Sequence, residues 1–275
     1  MRVFSWNTGG RVRRANQQLA AIRERRPDVV CLQEVRRSTV DVLKEGLSAG
    51  GLIHALDSLL SEDDAAYESP SRRTGTLIAS RWPLHALPGP DIPWSEKALA
   101  TLVESPAAKI EVHTAHVPNG SSNEWVKIDT FDGIYKRLAS NSGVARILCG
   151  DFNSPQLETR GGRVITWGEH EVEGQFVCRG RYRGRTGKEW DMGERSVLQG
   201  LAEFDLHDVF RGLHGFGVEA FSWYLRRQGK TIGRRFDHIF ASRRFSVRGC
   251  DYLHALREAK LSDHSPIEAD LDGPR

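Results

Sequence analysis

The sequence predicts an α+β fold in which two mostly antiparallel β-sheets pack face to face between flanking helices, a four-layer α/β/β/α sandwich. Three observations carry that expectation. Short apolar or alternating runs at the strand period of two recur through both halves of the chain. Helical patterns fall between these runs rather than in one block, which suits stacked sheets covered by helices. No internal repeat, low-complexity tract or Pro/Ser/Gly linker divides the 275 residues, so 1–275 is expected to be one domain.

In chain order, residues 2–6 alternate into Asn7, and 15–26 reads as a helix that stops at Pro27. The β-branched run 28–32 then closes at Gln33-Glu34, giving a strand, helix, strand unit with polar residues at both strand ends. Further strands are expected at 76–79, 98–103, 109–116 and 146–149, then at 236–240, 245–250 and 265–271. Helices are expected at 124–138, where Val126, Ile128, Phe131, Ile134, Tyr135 and Leu138 repeat at helical spacing, and at 196–204. Asn7, Glu34, His116, Asp151 with Asn153, Asp237 and Asp263-His264 all stand at or just past the end of an expected strand. A sheet presents such residues to a shared rim.

Composition narrows the class. At 39% hydrophobic and 27% charged the chain matches ordinary globular proteins and excludes disordered, collagen-like and coiled-coil ones. No apolar run reaches the roughly 18–20 residues of a membrane span, and Asn7 and Arg11 stand where a signal peptide would be apolar. A cytoplasmic location is therefore expected, with no membrane partner. Cys31, Cys149, Cys178 and Cys250 are far apart, with no C-x-x-C pair, so reduced and mostly buried thiols are expected rather than a zinc cage or a disulfide framework. Net charge is only +3, yet 31 of the 39 cations are Arg, whose planar fork suits phosphate; base composition of the genome would give the same excess.

The chemistry is read from the strand ends. In Cys149-Gly-Asp-Phe-Asn-Ser-Pro155 an apolar strand meets Gly150, and Asp151 and Asn153 alternate onto one side, although Asp-x-Asn is also an ordinary turn. Leu261-Ser-Asp-His-Ser-Pro266 sets a carboxylate beside an imidazole ahead of the last strand, and Glu34 closes an apolar one, as a solvated strand end also would. Together Glu34, Asp151, Asp263 and the Asn7 amide are hard oxygen donors that suit Mg²⁺, with Mn²⁺ as substitute. His264 and Asp237 can form an imidazole–carboxylate pair beside a phosphoryl group. The joint implication is metal-assisted phosphodiester hydrolysis.

At these residues the chain resembles the endonuclease/exonuclease/phosphatase superfamily, with the fold of pancreatic deoxyribonuclease. The resemblance runs nearly end to end, through Ser-Trp-Asn7, Leu-Gln-Glu34, Gly75-Thr-Leu-Ile-Ala-Ser-Arg-Trp-Pro83, His116-Val-Pro-Asn-Gly120, Gly150-Asp-Phe-Asn153, Phe221-Ser-Trp223, Arg235-Phe-Asp237 and Ser262-Asp-His264. Phe221-Ser-Trp followed by Gly233-Arg-Arg-Phe-Asp-His-Ile-Phe-Ala-Ser242 is similar to the exonuclease III and abasic-site endonuclease branch. The resemblance implies Glu34 as principal metal ligand assisted by Asn7 and Asp263, Asp151 aligning or deprotonating the attacking water, and Asn153 holding the phosphate. It further implies that His264, oriented by Asp237, stabilises charge on the phosphoryl oxygen. His116 and Asn119 match a phosphate-contacting segment, and Trp223 an aromatic facing the nucleotide. Three departures stand out: Gly9 where the branch often has Asn or Asp, His116 where it usually has Tyr, and Arg234 where abasic-site enzymes place an apolar pocket residue.

Double-stranded DNA is the expected partner of a monomeric enzyme. Arg226, Arg227 and Arg234 lie between Trp223 and Asp237 and are expected to contact the backbone, with Lys230 beside them. In Arg179-Gly-Arg-Tyr-Arg-Gly-Arg185 four guanidiniums could line one side of an extended segment, or form a solvated loop; Arg72 and Arg73 are lesser candidates. Trp6 and Trp167 are expected to pack in the interior. The same chemistry could serve RNA, phospholipid, inositol phosphate or a protein–DNA adduct, but no apolar membrane-facing loop is evident and the insertions are Arg-rich. A noncatalytic nucleic-acid-binding module would be expected to lack at least one of Glu34, Asp151, Asp237, Asp263 and His264, and all are present.

Overall fold

Alternation along the first strand explains the layers. In β1 (Arg2–Asn7), Val3 packs in a core between the sheets, whereas Phe4 and Trp6 turn the other way into a core under helices. The structure, a computed structural model, describes residues 1–60 and 69–274. After β1 come α1 (Ala15–Arg25), β2 (Val29–Arg36), α2 (Arg37–Ala49), β3 (His54–Asp57), β4 (Thr74–Ser80), β5 (Leu84–Ala86), β6 (Ala98–Glu104) and β7 (Lys109–His116). The chain continues through α3 (Gly120–Asn123), α4 (Val126–Leu138), β8 (Ala145–Asp151), β9 (Leu157–Glu158), β10 (Val164–Ile165), β11 (Glu169–Val172), β12 (Gln175–Cys178) and α5 (Gly187–Leu198). Last come β13 (His207–Asp208), α6 (Val209–His214), β14 (Trp223–Arg227), β15 (Lys230–Arg234), β16 (Asp237–Ala241), β17 (Ser246–Tyr252), α7 (His254–Glu258) and β18 (Ile267–Asp272).

One six-stranded sheet has the order β17-β18-β1-β2-β4-β3 and the other β13-β16-β8-β7-β6-β5. Each is antiparallel except at its centre, where β1 runs parallel to β2 and β7 to β8. Val3, Val29, Cys31 and Ile78 of the first sheet meet Val112, Ile147, Cys149 and Ile239 of the second in one buried cluster. Outside the first sheet Leu19 and Ile22 of α1 and Val40, Leu43 and Leu47 of α2 cover Trp6 and Leu32. Outside the second, Phe131 and Ile134 of α4 and Trp190 and Val197 of α5 cover Leu148 and Phe240. This is the four-layer sandwich that the alternating pattern predicts. Three of the four cysteines are buried and Cys178 is exposed.

Two helices differ from the sequence expectation. The pattern at 196–204 divides into the end of α5 and a 3-10 turn, Gly200–Phe204, while α5 begins at Gly187 because Thr186 and Glu189 cap it reciprocally. Helix α2 carries Val40, Leu43 and Leu47 on one face, a helical period that β-branched residues at its start and Gly46 near its end obscure. Gly46 is a packing requirement, since a Cβ there would stand 2.3 Å from the Leu19 side chain of α1. Among the described residues no helix is long and apolar enough to cross a membrane.

Candidate active site

Sheet register assembles the site. On the three adjacent strands β7, β8 and β16, His116 pairs with Asp151 and Asp151 with Asp237, so the three side chains form a row at the strand ends. Gly150 makes this possible: at φ +143°, a Cβ would lie 1.9 Å from the Ala115 carbonyl oxygen. The first sheet contributes Asn7 from the end of β1 and Glu34 from β2. The pairing of β2 with β4 shifts between Leu32 and Val35, and Glu34 sits in that bulge at φ +55°. Asn153 is also left-handed, at φ +50°. Non-glycine residues held there store strain of order 1–3 kcal/mol each, which the surrounding structure must impose.

The Asn7 amide nitrogen joins the two sheets, donating to Glu34 Oε1 at 3.0 Å and Asp151 Oδ2 at 2.8 Å, while its oxygen accepts from the Gly9 amide at 2.9 Å. The other Asp151 oxygen accepts from the Asn153 amide at 2.9 Å. His264 Nδ1 lies 2.8 Å from Asp237 Oδ2, and its Nε2 faces Asp151 Oδ2 at 3.7 Å. His116 Nε2 stands 3.6 Å from Glu34 Oε1. Behind these, Trp6 Nε1 donates to the His264 carbonyl at 3.0 Å and Ser262 Oγ to the Asn7 carbonyl at 2.7 Å. Ser222 Oγ accepts from the Asp237 amide at 3.1 Å, and Tyr252 donates to the Asp237 carbonyl at 2.5 Å.

Charge in this pocket is unbalanced. Burial pushes Asp151 up to about 7 against the opposing pull of the His264 charge. Burial alone would lower His264, but Asp237 and Asp151 outweigh it and raise the imidazole to about 10, so it is protonated at neutral pH. Burial lowers His116 to about 4 and leaves it neutral. Asp237 Oδ1 and His116 Nδ1 are buried with no protein partner. Glu34, His116 and Asp151 each offer a donor atom, all within 4.8 Å of one another. Two carboxylates converging on one amide, beside a neutral imidazole, fit a divalent cation.

The cluster forms the floor of a cleft of about 780 Å³. Asp263 is in neither group of converging donors: its exposed carboxylate meets Arg11 at 3.3 Å and Trp223 Nε1 at 3.4 Å. The Asn7 amide hydrogens face the two carboxylates and its oxygen faces the Gly9 amide. Gly9 stands at φ +64°, and a Cβ there would come 2.7 Å from Asp263 Oδ1, so a side chain at this position requires the Asp263 carboxylate to move. Asn153 Nδ2 is turned to the Val117 carbonyl at 3.0 Å, and Asn119 Oδ1 caps α3 through the Ser121 amide at 2.7 Å.

Trp223 and Arg234 are cross-strand partners on the β14–β15 hairpin and both line the cleft. Arg226 falls on the alternate face from Trp223 and Leu225 and does not line it; the Arg227 side chain lies outside the described residues. The 179–185 segment is no extended row of guanidiniums. It turns, with Tyr182 and Arg185 bonded to each other, and Arg179 and Arg183 rest 5.3 and 5.6 Å from the Tyr182 ring. Arg185 covers the Trp125 ring at 4.5 Å. Arg72 pairs with the buried Glu96. Trp6 is fully buried as expected, whereas Trp167 lines the cleft and donates to the Asn153 carbonyl at 3.1 Å. Sequence reasoning missed Lys97, buried and bonded to Thr74, and Lys127, whose ammonium donates to the Asn153 carbonyl at 2.9 Å and pairs with Glu194 at 2.8 Å. A lone Lys inside an apolar pattern carries no signal of its own, but each falls within a few residues of a strand or helix boundary beside the cleft.

Comparisons with known proteins agree with this geometry. Residues 4–264 match the Endonuclease/Exonuclease/phosphatase family. A stretch of 84 residues is 37% identical to Exodeoxyribonuclease III of Haemophilus influenzae, covering 28% of this chain; the chain spans about a third (32%) of the length of that curated relative. An AP endonuclease from Archaeoglobus fulgidus superposes with a TM-score of 0.71 at 19% identity, over 99% of both chains. D. rerio TDP2 complexed with single strand DNA product superposes with a TM-score of 0.67 at 15% identity, over 99% of this chain and 98% of that one. At such identities the two structures establish the shared fold. The chain belongs to the Endonuclease/Exonuclease/phosphatase family, whose members hydrolyse phosphate esters.

Proposed function

We propose that this phosphoesterase hydrolyses the phosphodiester backbone of DNA with Mg²⁺, for which Mn²⁺ substitutes, acting in the cytoplasm as a monomer on duplex DNA. One observation carries the proposal: the Asn7-linked carboxylates Glu34 and Asp151 and the imidazole–carboxylate pair His264–Asp237 meet at one point on the cleft floor. Glu34 holds the cation, with His116 and Asp151 as the nearest further donors. Held there, a divalent cation would supply Lewis-acid stabilisation of phosphoryl charge.

The protein groups do the rest. Asp151, fixed at both oxygens by Asn7 and Asn153 and pushed up to about 7, is tuned to take a proton from the attacking water. His264, protonated and oriented by Asp237, presents Nε2 to the charge that grows on the phosphoryl oxygen. The DNA assignment is supported by the stretch shared with Exodeoxyribonuclease III, by the AP endonuclease fold and by the arginines of the cleft. The test is incubation of the pure protein with Mg²⁺ and end-labelled intact, nicked, abasic, single-stranded and RNA substrates, followed by mapping of product ends. Chelator-sensitive DNA cleavage is expected. Cleavage that survives EDTA, or RNA cleavage with DNA left intact, would overturn it.

A further inference from the structure

The cleft walls are aromatic on every side of the carboxylate floor. On the His264 side Trp223 stacks on Phe236, with ring centroids 5.4 Å apart and planes 23° apart, and lies 6.4 Å from the His264 ring. On the Asn153 side stand Trp167, bonded to the Asn153 carbonyl, and Tyr182. On the Glu34 side Trp94 opens the turn that carries Lys97 to Thr74, and Thr74 pairs with Arg36 two residues beyond Glu34. All four rings line the same cleft and none is fully buried.

Cations are threaded between these rings rather than spread over a flat face. Arg36, Arg179, Arg183 and Arg234 line the cleft, and the Nε atoms of Arg179 and Arg183 are buried without a protein partner. The 179–185 segment folds on itself, and Arg226 faces away from the cleft. Proteins that read duplex DNA put most of their contacts on phosphates. Those that hold single strands alternate aromatic platforms with cations, because every base has a π-face once it is unstacked.

We propose that the cleft takes its DNA as an unpaired strand, with bases flanking the scissile phosphate stacked on Trp223 and Trp94, so that duplex DNA is cut where an end or gap supplies separated nucleotides. The proposal rests on the DNA phosphodiesterase activity above. It predicts that a strand paired through the scissile position is a poor substrate until it frays.

Initial rates with Mg²⁺ on one labelled sequence test this, presented as blunt duplex, as duplex with a ten-nucleotide overhang on either end, as free strand and as the matching RNA. The unpaired DNA forms are expected to be cut at least tenfold faster than the blunt duplex. In a Trp94→Ala variant that ratio should fall several-fold, as loss of one base platform implies, and Trp94→Phe should restore it. A ratio is insensitive to the fraction of enzyme that folds. Equal or faster cutting of the blunt duplex, or an unchanged ratio in Trp94→Ala, overturns the strand-separated substrate and leaves the nuclease assignment standing; so does preference for the RNA strand over DNA. If no DNA form is cut, the simple diester bis(p-nitrophenyl) phosphate decides between the two: hydrolysis that depends on Mg²⁺ and Asp151 overturns DNA as substrate, and no hydrolysis overturns the phosphodiesterase itself.

Discussion

Asp237 and His238 are neighbours on β16 that point to opposite faces, and each belongs to a buried cluster of carboxylates and imidazole. Behind the sheet His238 lies 3.2 Å from Asp208 and 2.9 Å from the Ser154 carbonyl, while Arg235 reaches Asp208 at 2.7 Å and Glu158 at 2.6 Å, and Arg211 reaches Glu158 at 2.6 Å. Two guanidiniums face two carboxylates, and of these four side chains Arg235 Nη1 alone is buried without a partner among the described residues. In front of it, among the described residues, Glu34, Asp151 and Asp237 have one charged partner within ion-pair distance, His264, with Lys97 and Lys127 farther off, and a carboxylate oxygen and an imidazole nitrogen remain unsatisfied. Residue types are alike in the two places. What differs is closure: the rear cluster neutralises itself and ties β9, β13 and β16 together, whereas the front one is left negative, and its geometry is complete only with something positive from outside.

The largest expected effects lie in front. His264→Ala and Asp151→Asn should each lower the hydrolysis rate per folded molecule by about 10²–10⁴-fold, the range of a positioned acid or base, with the Asp151→Asn thermal midpoint near wild type and that of His264→Ala lowered, because the buried Asp237 loses its partner. Either variant within about tenfold of wild type, a barrier change of ~1.4 kcal/mol, would erase the contrast. Behind, the sign of the outcome inverts. Arg235→Met strands Glu158 and Asp208 in the interior and should cost about 3–5 kcal/mol in denaturant unfolding, while the rate per folded molecule changes little.

Titration separates the clusters further. Glu158 is held at about 2: burial would raise it, but Arg235 and Arg211 more than offset that. Its folded value is below the ordinary 4.5, so its contribution is present above pH 4.5 and is lost as pH falls through about 2. That difference corresponds to roughly 3 kcal/mol, and acid unfolding of wild type against Glu158→Gln should reveal it as a steeper loss in wild type. In front, saturating Mg²⁺ should raise the melting midpoint by a few degrees, as about 2.7 kcal/mol of linkage at a hundredfold excess over Kd implies. Glu34→Ala should abolish the shift and Arg235→Met should retain it.

Much of the front cluster was legible because strand ends are. Asn7, Glu34, His116 and Asp151 each end an apolar run while Asp237 and His264 stand ahead of one, and register sets His116, Asp151 and Asp237 side by side. What one dimension hides is direction. Asp263 is adjacent to His264 in sequence, yet His264 turns to Asp237, and Asp263 turns to Arg11 and Trp223. The 179–185 arginines promise a row, and a backbone turn stacks two of them on Tyr182 instead. The rear network was not legible as a network: Glu158, Asp208 and Arg211 lie on separate short elements and Arg235 between β15 and β16, and no period links them.

The smallest and sharpest test uses the arginine pair at the boundary. Arg235 is buried against carboxylates of the rear cluster, while Arg234, one residue before it, ends β15 at the wall of the cleft. Among the described residues the Arg234 guanidinium meets the Gly233 carbonyl at 3.1 Å and the Trp167 ring at 5.6 Å but no carboxylate, and burial pulls its pKa down. An abasic pocket selects a baseless sugar by an apolar slot too tight for a normal nucleotide, and a guanidinium in that wall needs water or a phosphate. Wild-type protein should therefore prefer an abasic duplex over its intact match only modestly. A preference of a thousandfold, about 4 kcal/mol, would mean that the slot forms despite Arg234. Arg234→Leu removes the charge and leaves Trp167 and Phe236 facing an apolar wall, so the abasic preference should rise by about tenfold, the scale on which a hydrophobic pocket discriminates. Its stability should stay within about 0.5 kcal/mol of wild type, because no buried partner is left stranded. An unchanged preference with a large loss of stability would assign Arg234 to the same self-closed network as Arg235, and the division between the two clusters would then run in front of β15 rather than between these two residues.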